Sequence, residues 1–188
     1  MGLNFLEEVV ADYFRVVEEA IVLENVSFLV ERQKGAGYSD IDVLAILPDK
    51  IIMAECQSHW LPSKSEEEEA LERLERKFDL DAFLNSNRTI KELFPEKIKQ
   101  HKIEKWFIVF RDTKKETEKW RELGEKCGKR GIRLVEAENI IYGLIHKLRQ
   151  HREEKHRLGS YKGITRVLLQ LVMQAKQNGY NLDEVIKV

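Results

Sequence analysis

The sequence has 188 residues, of which 43% are hydrophobic and 35% are charged, a composition typical of one globular domain with a sizeable core. Its 32 lysines and arginines are balanced by 33 acidic residues, which argues against nucleic-acid binding through net charge alone but leaves room for local basic patches. The two cysteines, Cys56 and Cys127, lie outside any CxxC spacing, so neither a disulfide framework nor a zinc site is expected. No apolar run reaches about 18 residues, and the first residues are not typical of a signal peptide. We therefore expect a soluble protein of the cytoplasm.

The first half of the chain predicts a helix, three strands and a second helix. Apolar residues at helical spacing indicate an amphipathic helix over residues 4–22. Apolar runs bounded by turn residues predict strands at residues 26–32, 41–47 and 50–56. Residues 33–39 are expected to form a loop. The charged segment 65–84 is expected to form one long helix whose apolar stripe faces the core.

The second half of the chain alternates helices and strands. Helices are predicted at residues 90–94, 115–129 and 139–148, and strands at residues 105–112 and 132–137. This order favours crossover connections and hence parallel strands in an α/β fold. A basic stretch then leads into a last amphipathic helix. We divide the chain into a domain of residues 1–150 and a C-terminal helical extension of residues 151–188, which either packs on the domain or forms a homodimer contact.

Two acidic residues lie within the apolar segments of a probable hairpin. Asp42 belongs to the run IDVLAIL and Glu55 to the run KIIMAEC, and Gln57 follows two residues later. A lone carboxylate is costly to bury unless it is paired or holds a metal. Side chains alternate along a strand, so Glu55 and Gln57 should share one face and Cys56 the other. Oxygen ligands from Asp42, Glu55 and the backbone carbonyl of Cys56 suit Mg²⁺ or Mn²⁺.

The segments GYSDIDVLA and IIMAECQ resemble the motif of the PD-(D/E)XK nuclease superfamily, which includes restriction endonucleases, Mrr-type nucleases and archaeal Holliday-junction resolvases. Asp42 matches the first acid of that motif and Glu55 matches the second. The resemblance implies a restriction endonuclease-like three-layer fold, with a central mixed sheet flanked by helices. It also implies a Mg²⁺-dependent endonuclease that hydrolyses DNA. A glutamate on the first helix would complete the metal site; Glu8 fits best, and Glu7 and Glu18 stay open.

The chain departs from the family motif at Gln57, where the family has a lysine. That lysine orients or activates the attacking water, whereas glutamine offers a hydrogen bond without a charge. Gln57 is therefore expected to position the water. His59, Arg73 and Lys77 are the auxiliary candidates to supply the missing polar or positive group.

Basic residues suggest where DNA would lie. Arg32 and Lys34 flank the loop beside the predicted site, and Arg152 and Lys155 belong to the basic stretch near the end of the domain. The same stretch also reads as an ordinary solvated helix end. Two rival functions stay open at this point: a catalytically inactive nucleic-acid-binding module of the same fold, and a structural or interaction domain.

Overall fold

The structure is a computed structural model that describes residues 5–32, 35–60, 62, 65–87, 102–110 and 117–151. The helix predicted at residues 90–94 lies outside these residues. Apart from His151, the predicted C-terminal extension lies outside them too. The division of the chain into a domain and an extension therefore stays a prediction.

The described residues form five helices and five strands. The N-terminal part contains α1 (Phe5–Val16), β1 (Ile21–Arg32), β2 (Gly35–Ile46), β3 (Lys50–Gln57), α2 (Glu67–Lys77) and α3 (Leu80–Ser86). The C-terminal part contains β4 (Lys102–Val109), α4 (Thr117–Lys129), β5 (Ile132–Glu136) and α5 (Ala137–His151). None of these helices combines the length and the apolar character needed to cross a membrane.

All five strands belong to one mixed sheet in the order β1-β2-β3-β4-β5. The pairs β1–β2 and β2–β3 are antiparallel, whereas β3–β4 and β4–β5 are parallel. Most of β3 and the second half of β4 are buried on both faces, which explains the apolar runs there. β3 lies at the centre of the sheet, with an antiparallel neighbour on one side and a parallel neighbour on the other.

Helices cover both faces of the sheet. On one face α1 and α5 pack on alternate strand residues such as Ala45, Ile52 and Ile108. On the other face α2, α3 and α4 pack on the intervening residues, such as Met53 and Phe107. The predicted α/β fold in three layers, a mixed sheet flanked by helices, is confirmed.

The two helices of the first face approach each other closely. A Cβ atom at Gly143 of α5 would lie 2.8 Å from Cε2 of Tyr13 on α1, so only glycine fits there without a shift of the tyrosine ring. This contact fixes α1, which carries the glutamates discussed above, against the C-terminal half of the domain.

Several predicted boundaries are wrong; the strand predicted at residues 105–112, for example, is β4 (Lys102–Val109). The first helix ends at Val16 instead of residue 22, because the β-branched and apolar residues from Ile21 onward pair with β2. Residues 35–39, predicted as part of a loop, belong to β2 and pair with β1. The long helix predicted at 65–84 is two helices: Phe78 turns into the core, and the Asp79 side chain caps α3 by accepting the N–H of Ala82 at 3.0 Å.

Candidate metal and catalytic site

β2 and β3 stop pairing at Asp42 and Glu55. Regular pairing begins with Ile46 opposite Ile51 and ends with Val43 opposite Ala54. At the next position along the two strands, Asp42 would lie opposite Glu55. There the Oδ2 atom of Asp42 accepts a hydrogen bond of 2.7 Å from the backbone N–H of Cys56. A carboxylate thus takes the place of a strand carbonyl as the acceptor, and the two strands diverge where the acids lie.

β1 is also irregular at this level of the sheet. Glu24 pairs with Val43 and Val26 with Ile41, but the position between them, Asn25 opposite Asp42, is not paired. Asn25 has a φ of 52°, in the left-handed region that asparagine tolerates better than most residues. The sheet is therefore interrupted on both sides of Asp42.

Both acids are buried. Asp42 is 5% exposed and Glu55 3%; the one other buried charged residue of the described part, Asp12, pairs through Oδ1 with Arg15 at 3.1 Å, and its Oδ2 has no partner. Lys77, the last residue of α2, contacts Oε1 of Glu55 in an ion pair. The second oxygen of Glu55, Oε2, is buried and has no hydrogen-bond partner. A buried carboxylate oxygen without a partner is costly unless something binds it.

The two carboxyl groups perturb each other. Burial raises the pKa of Glu55, the Asp42 charge raises it further and Lys77 lowers it, with the result at about 8. Burial also raises the pKa of Asp42, against the hydrogen bond from Cys56 and the charge of Lys77. Burial by itself lowers the pKa of Lys77, but Glu55, Asp42 and Asp40 together hold it above its ordinary value. The ammonium is thus charged, and the acid pair retains a proton near neutral pH.

The structure separates the auxiliary candidates. Lys77 lies in the site, whereas Arg73 is exposed and pairs at 3.4 Å with Glu69 on its own helix. Gln57 is half-buried at the end of β3, and His59 is exposed beyond it. Of the three auxiliary candidates, Lys77 on α2 is therefore the one that brings a positive charge into contact with Glu55.

The structure does not single out one of the three candidate glutamates near the first helix, Glu7, Glu8 and Glu18, as a third ligand. Glu8 is half-buried in the first turn, and Glu18 accepts a hydrogen bond of 3.0 Å from the hydroxyl of Tyr13. Burial raises the pKa of the Cys56 thiol well above its ordinary value, and Asp42, Glu55 and also Glu7 raise it further, so Glu7 lies within electrostatic range of that thiol. Across the described residues, no three His, Cys, Asp or Glu side chains form a ready metal cluster. The set of Glu8, Asp42 and Glu55 stays a prediction, of which the structure assembles the Asp42–Glu55 pair.

The side chain of Cys56 lies on the face of β3 that the strand alternation predicts. Its side chain is buried among α1 and α5, opposite the face on which Glu55 meets Lys77, so the predicted alternation of β3 is confirmed. Trp60 packs edge-on against Phe107, the β4 residue in register with Glu55, at 5.0 Å between ring centroids. Trp60 is thus part of the wall beside the site.

Sequence reasoning missed Asp40. Its Oδ1 atom lies 3.9 Å from the ammonium of Lys77, and its charge raises the pKa of both Asp42 and Glu55. Residues two apart on a strand share a face, and this spacing is the signal that relates Asp40 to Asp42. The pattern Ser-Asp-Ile-Asp therefore contributes two acids to the site.

The predicted DNA contacts are mostly outside the described residues. The backbone of Arg32 ends β1, and its side chain is not described. Lys34, Arg152 and Lys155 lie outside the described ranges. These contacts stay predictions.

Comparison with known proteins gives the chain no family. No family model matches the sequence, and no curated protein matches it. Among solved structures, the chain is similar to protein VC1899 from Vibrio cholerae, with 14% identity and a TM-score of 0.44 over 75% of this chain. It is also similar to a protein of unknown function, AF1548, with 15% identity and a TM-score of 0.37 over 92% of this chain and 98% of the other. The chain spans 30% of the length of VC1899.

Proposed function

We propose that this protein is a Mg²⁺- or Mn²⁺-dependent endonuclease of the PD-(D/E)XK, restriction endonuclease-like superfamily that hydrolyses phosphodiester bonds in DNA. One observation carries the proposal: two buried carboxylates meet where β2 and β3 diverge, and a lysine from α2 contacts one of them. Buried acids with raised pKa values beside a specific cation are typical of functional sites.

The chemistry of the donors fits a divalent cation. Oε2 of Glu55 is a buried acceptor without a partner, and the Asp42 carboxylate, whose Oδ2 atom accepts from Cys56, lies close enough to raise the pKa of Glu55. Mg²⁺ is commonly bound by one or two carboxylates and keeps several waters, so two acids and the backbone carbonyl of Cys56 make a sufficient set. A bound cation supplies a water of lowered pKa and stabilises charge on a transferring phosphoryl group.

The remaining residues have separate roles in this proposal. Gln57 orients the attacking water by hydrogen bonding. Lys77 places a positive charge where negative charge develops on the phosphoryl oxygens, the task of the lysine that Gln57 replaces. The water oxygen bonds to phosphorus, the bond to one sugar oxygen breaks, and that oxygen takes up a proton.

The proposal also covers location and partners. Both cysteines are buried and free, which fits the reducing cytoplasm. DNA is the proposed substrate, and the C-terminal extension predicted at residues 151–188 is proposed either to pack on the domain or to contact a second copy of the chain.

The test is cleavage of plasmid and linear DNA by the purified protein with millimolar Mn²⁺. We expect cleavage by the wild type, loss of cleavage in Asp42→Asn, and wild-type cleavage in Asp49→Asn. The last variant is a matched control, because Asp49 is an exposed aspartate in the turn at the other end of the same hairpin. DNA binding without cleavage would favour the inactive module. If the protein bound neither Mn²⁺ nor DNA, the result would favour the structural domain.

A further inference from the structure

Lys77 lies between two carboxylates of different character. It contacts Oε1 of Glu55, which is buried, and it lies 3.9 Å from Oδ1 of Asp40, whose side chain is 50% exposed. Lys77 is the last residue of α2, and its side chain is 33% exposed. Two acceptors are thus within reach of one ammonium group.

The contact with Glu55 conflicts with a divalent cation bound by the same carboxylate. A doubly charged ion at Glu55 would repel an ammonium group in contact with that carboxylate, all the more strongly in a buried site. This repulsion favours a movement of Lys77 away from Glu55 when such an ion binds. If it left for bulk solvent, the site would lose the positive charge that the reaction needs.

We propose that Asp40 is a positioning residue that receives Lys77 when a divalent cation binds at Asp42 and Glu55. This inference rests on the proposed function. Asp40 holds the ammonium at the exposed side of the site, within reach of a substrate phosphate. The Lys77 side chain then makes one short movement, from its contact with Glu55 to its contact with Asp40.

The position of Asp40 is fixed by the sheet. Asp40 pairs with Ser27 of β1, beyond the irregular position at Asn25, and lies on the same strand as Asp42. Because the two aspartates are two residues apart, they share a face. Because the Asp40 side chain is half exposed, it can hold an ammonium group without the desolvation cost that Glu55 carries.

The test is a double-mutant cycle on Mn²⁺ affinity, measured by calorimetry on the full chain. Asp40→Asn should weaken Mn²⁺ binding by about 3- to 10-fold, and Lys77→Met should strengthen it because the competing cation is gone. In the Lys77→Met background, Asp40→Asn should change the affinity by less than about twofold, because Asp40 acts through Lys77. Asp40→Glu should restore most of the affinity, and Asp49→Asn should leave it unchanged.

Two outcomes overturn the inference, and they are distinguishable. If Asp40→Asn weakens Mn²⁺ binding by the same factor with and without Lys77, Asp40 does not act through the lysine, and the proposed function survives. If the wild type binds no Mn²⁺, the proposed function fails and this inference falls with it. Urea unfolding of each variant separates either outcome from loss of the fold.

Discussion

Lys77 on α2 and Glu55 on β3, 22 residues apart in sequence, form an ion pair inside the sheet–helix interface. This pair brings a positive charge to an acidic site whose own strand offers only Gln57. The contact with Lys77 lowers the pKa of Glu55 against the effect of burial, so it reduces the cost of ionising this buried glutamate.

Removing the Lys77 charge should abolish cleavage while the fold and the metal site persist. We expect Lys77→Met to lower the cleavage rate by about 100-fold or more, the usual cost of losing one group that stabilises a developing negative charge. Single-turnover cleavage at saturating Mn²⁺ measures this rate. Arg76→Met is the control, an exposed neighbour on the same helix, and it should cleave at the wild-type rate. Equal rates for Lys77→Met and the wild type would remove Lys77 from the mechanism.

Metal binding should depend steeply on pH. Because the pKa of Glu55 is about 8, a cation that binds its carboxylate has to displace a proton at lower pH. The Mn²⁺ affinity should therefore rise by about tenfold per pH unit up to that pKa and then level off. Calorimetry in buffers of different ionisation enthalpy counts the released protons. An affinity that does not change between pH 6 and pH 8 would show that Glu55 is ionised before the metal arrives.

The same pKa predicts how stability varies with pH. Between the ordinary value of 4.5 and the folded value of about 8, the folded state holds a proton on Glu55 that the unfolded state has lost. The free energy of unfolding should therefore decrease as pH rises through this range. Glu55→Gln removes this dependence and should be more stable than the wild type above pH 8, by about 1–3 kcal/mol. Urea unfolding at several pH values without divalent metal checks the sign; a less stable variant at high pH would contradict it.

The left-handed backbone at Asn25 predicts that substitutions there change the stability of the protein by different amounts. Its φ of 52° suits glycine and asparagine but not a β-branched residue. Asn25→Val should lower the free energy of unfolding by about 1–2 kcal/mol, whereas Asn25→Gly should be nearly neutral. Ser27→Val, on the same strand, is the control and should change stability by less than about 0.5 kcal/mol. Equal stability of the two Asn25 variants would mean that the left-handed backbone does not matter.

The sequence predicts the acids better than the lysine. Asp42 and Glu55 are evident because a charged residue inside an apolar strand needs a partner, and this is a local signal. Lys77 was only one of three auxiliary candidates, because its place depends on how α2 packs across the sheet. The sequence gives no sign that the predicted long helix ends near Lys77, since Phe78 leaves the helix only to reach a core formed by distant residues. The sequence does not single out Asp40, because its proximity to the site depends on the position of Lys77.

Anomalous diffraction from crystals grown with Mn²⁺ tests most directly whether Asp42 and Glu55 form a metal site. We predict one strong anomalous peak at a distance of about 2.1 Å from carboxylate oxygens of both Asp42 and Glu55, with the Lys77 ammonium displaced from Glu55. The contradicting result is a crystal at saturating Mn²⁺ that shows no peak between these two residues and in which Lys77 still pairs with Glu55. That result would contradict the metal site and the nuclease proposal that depends on it.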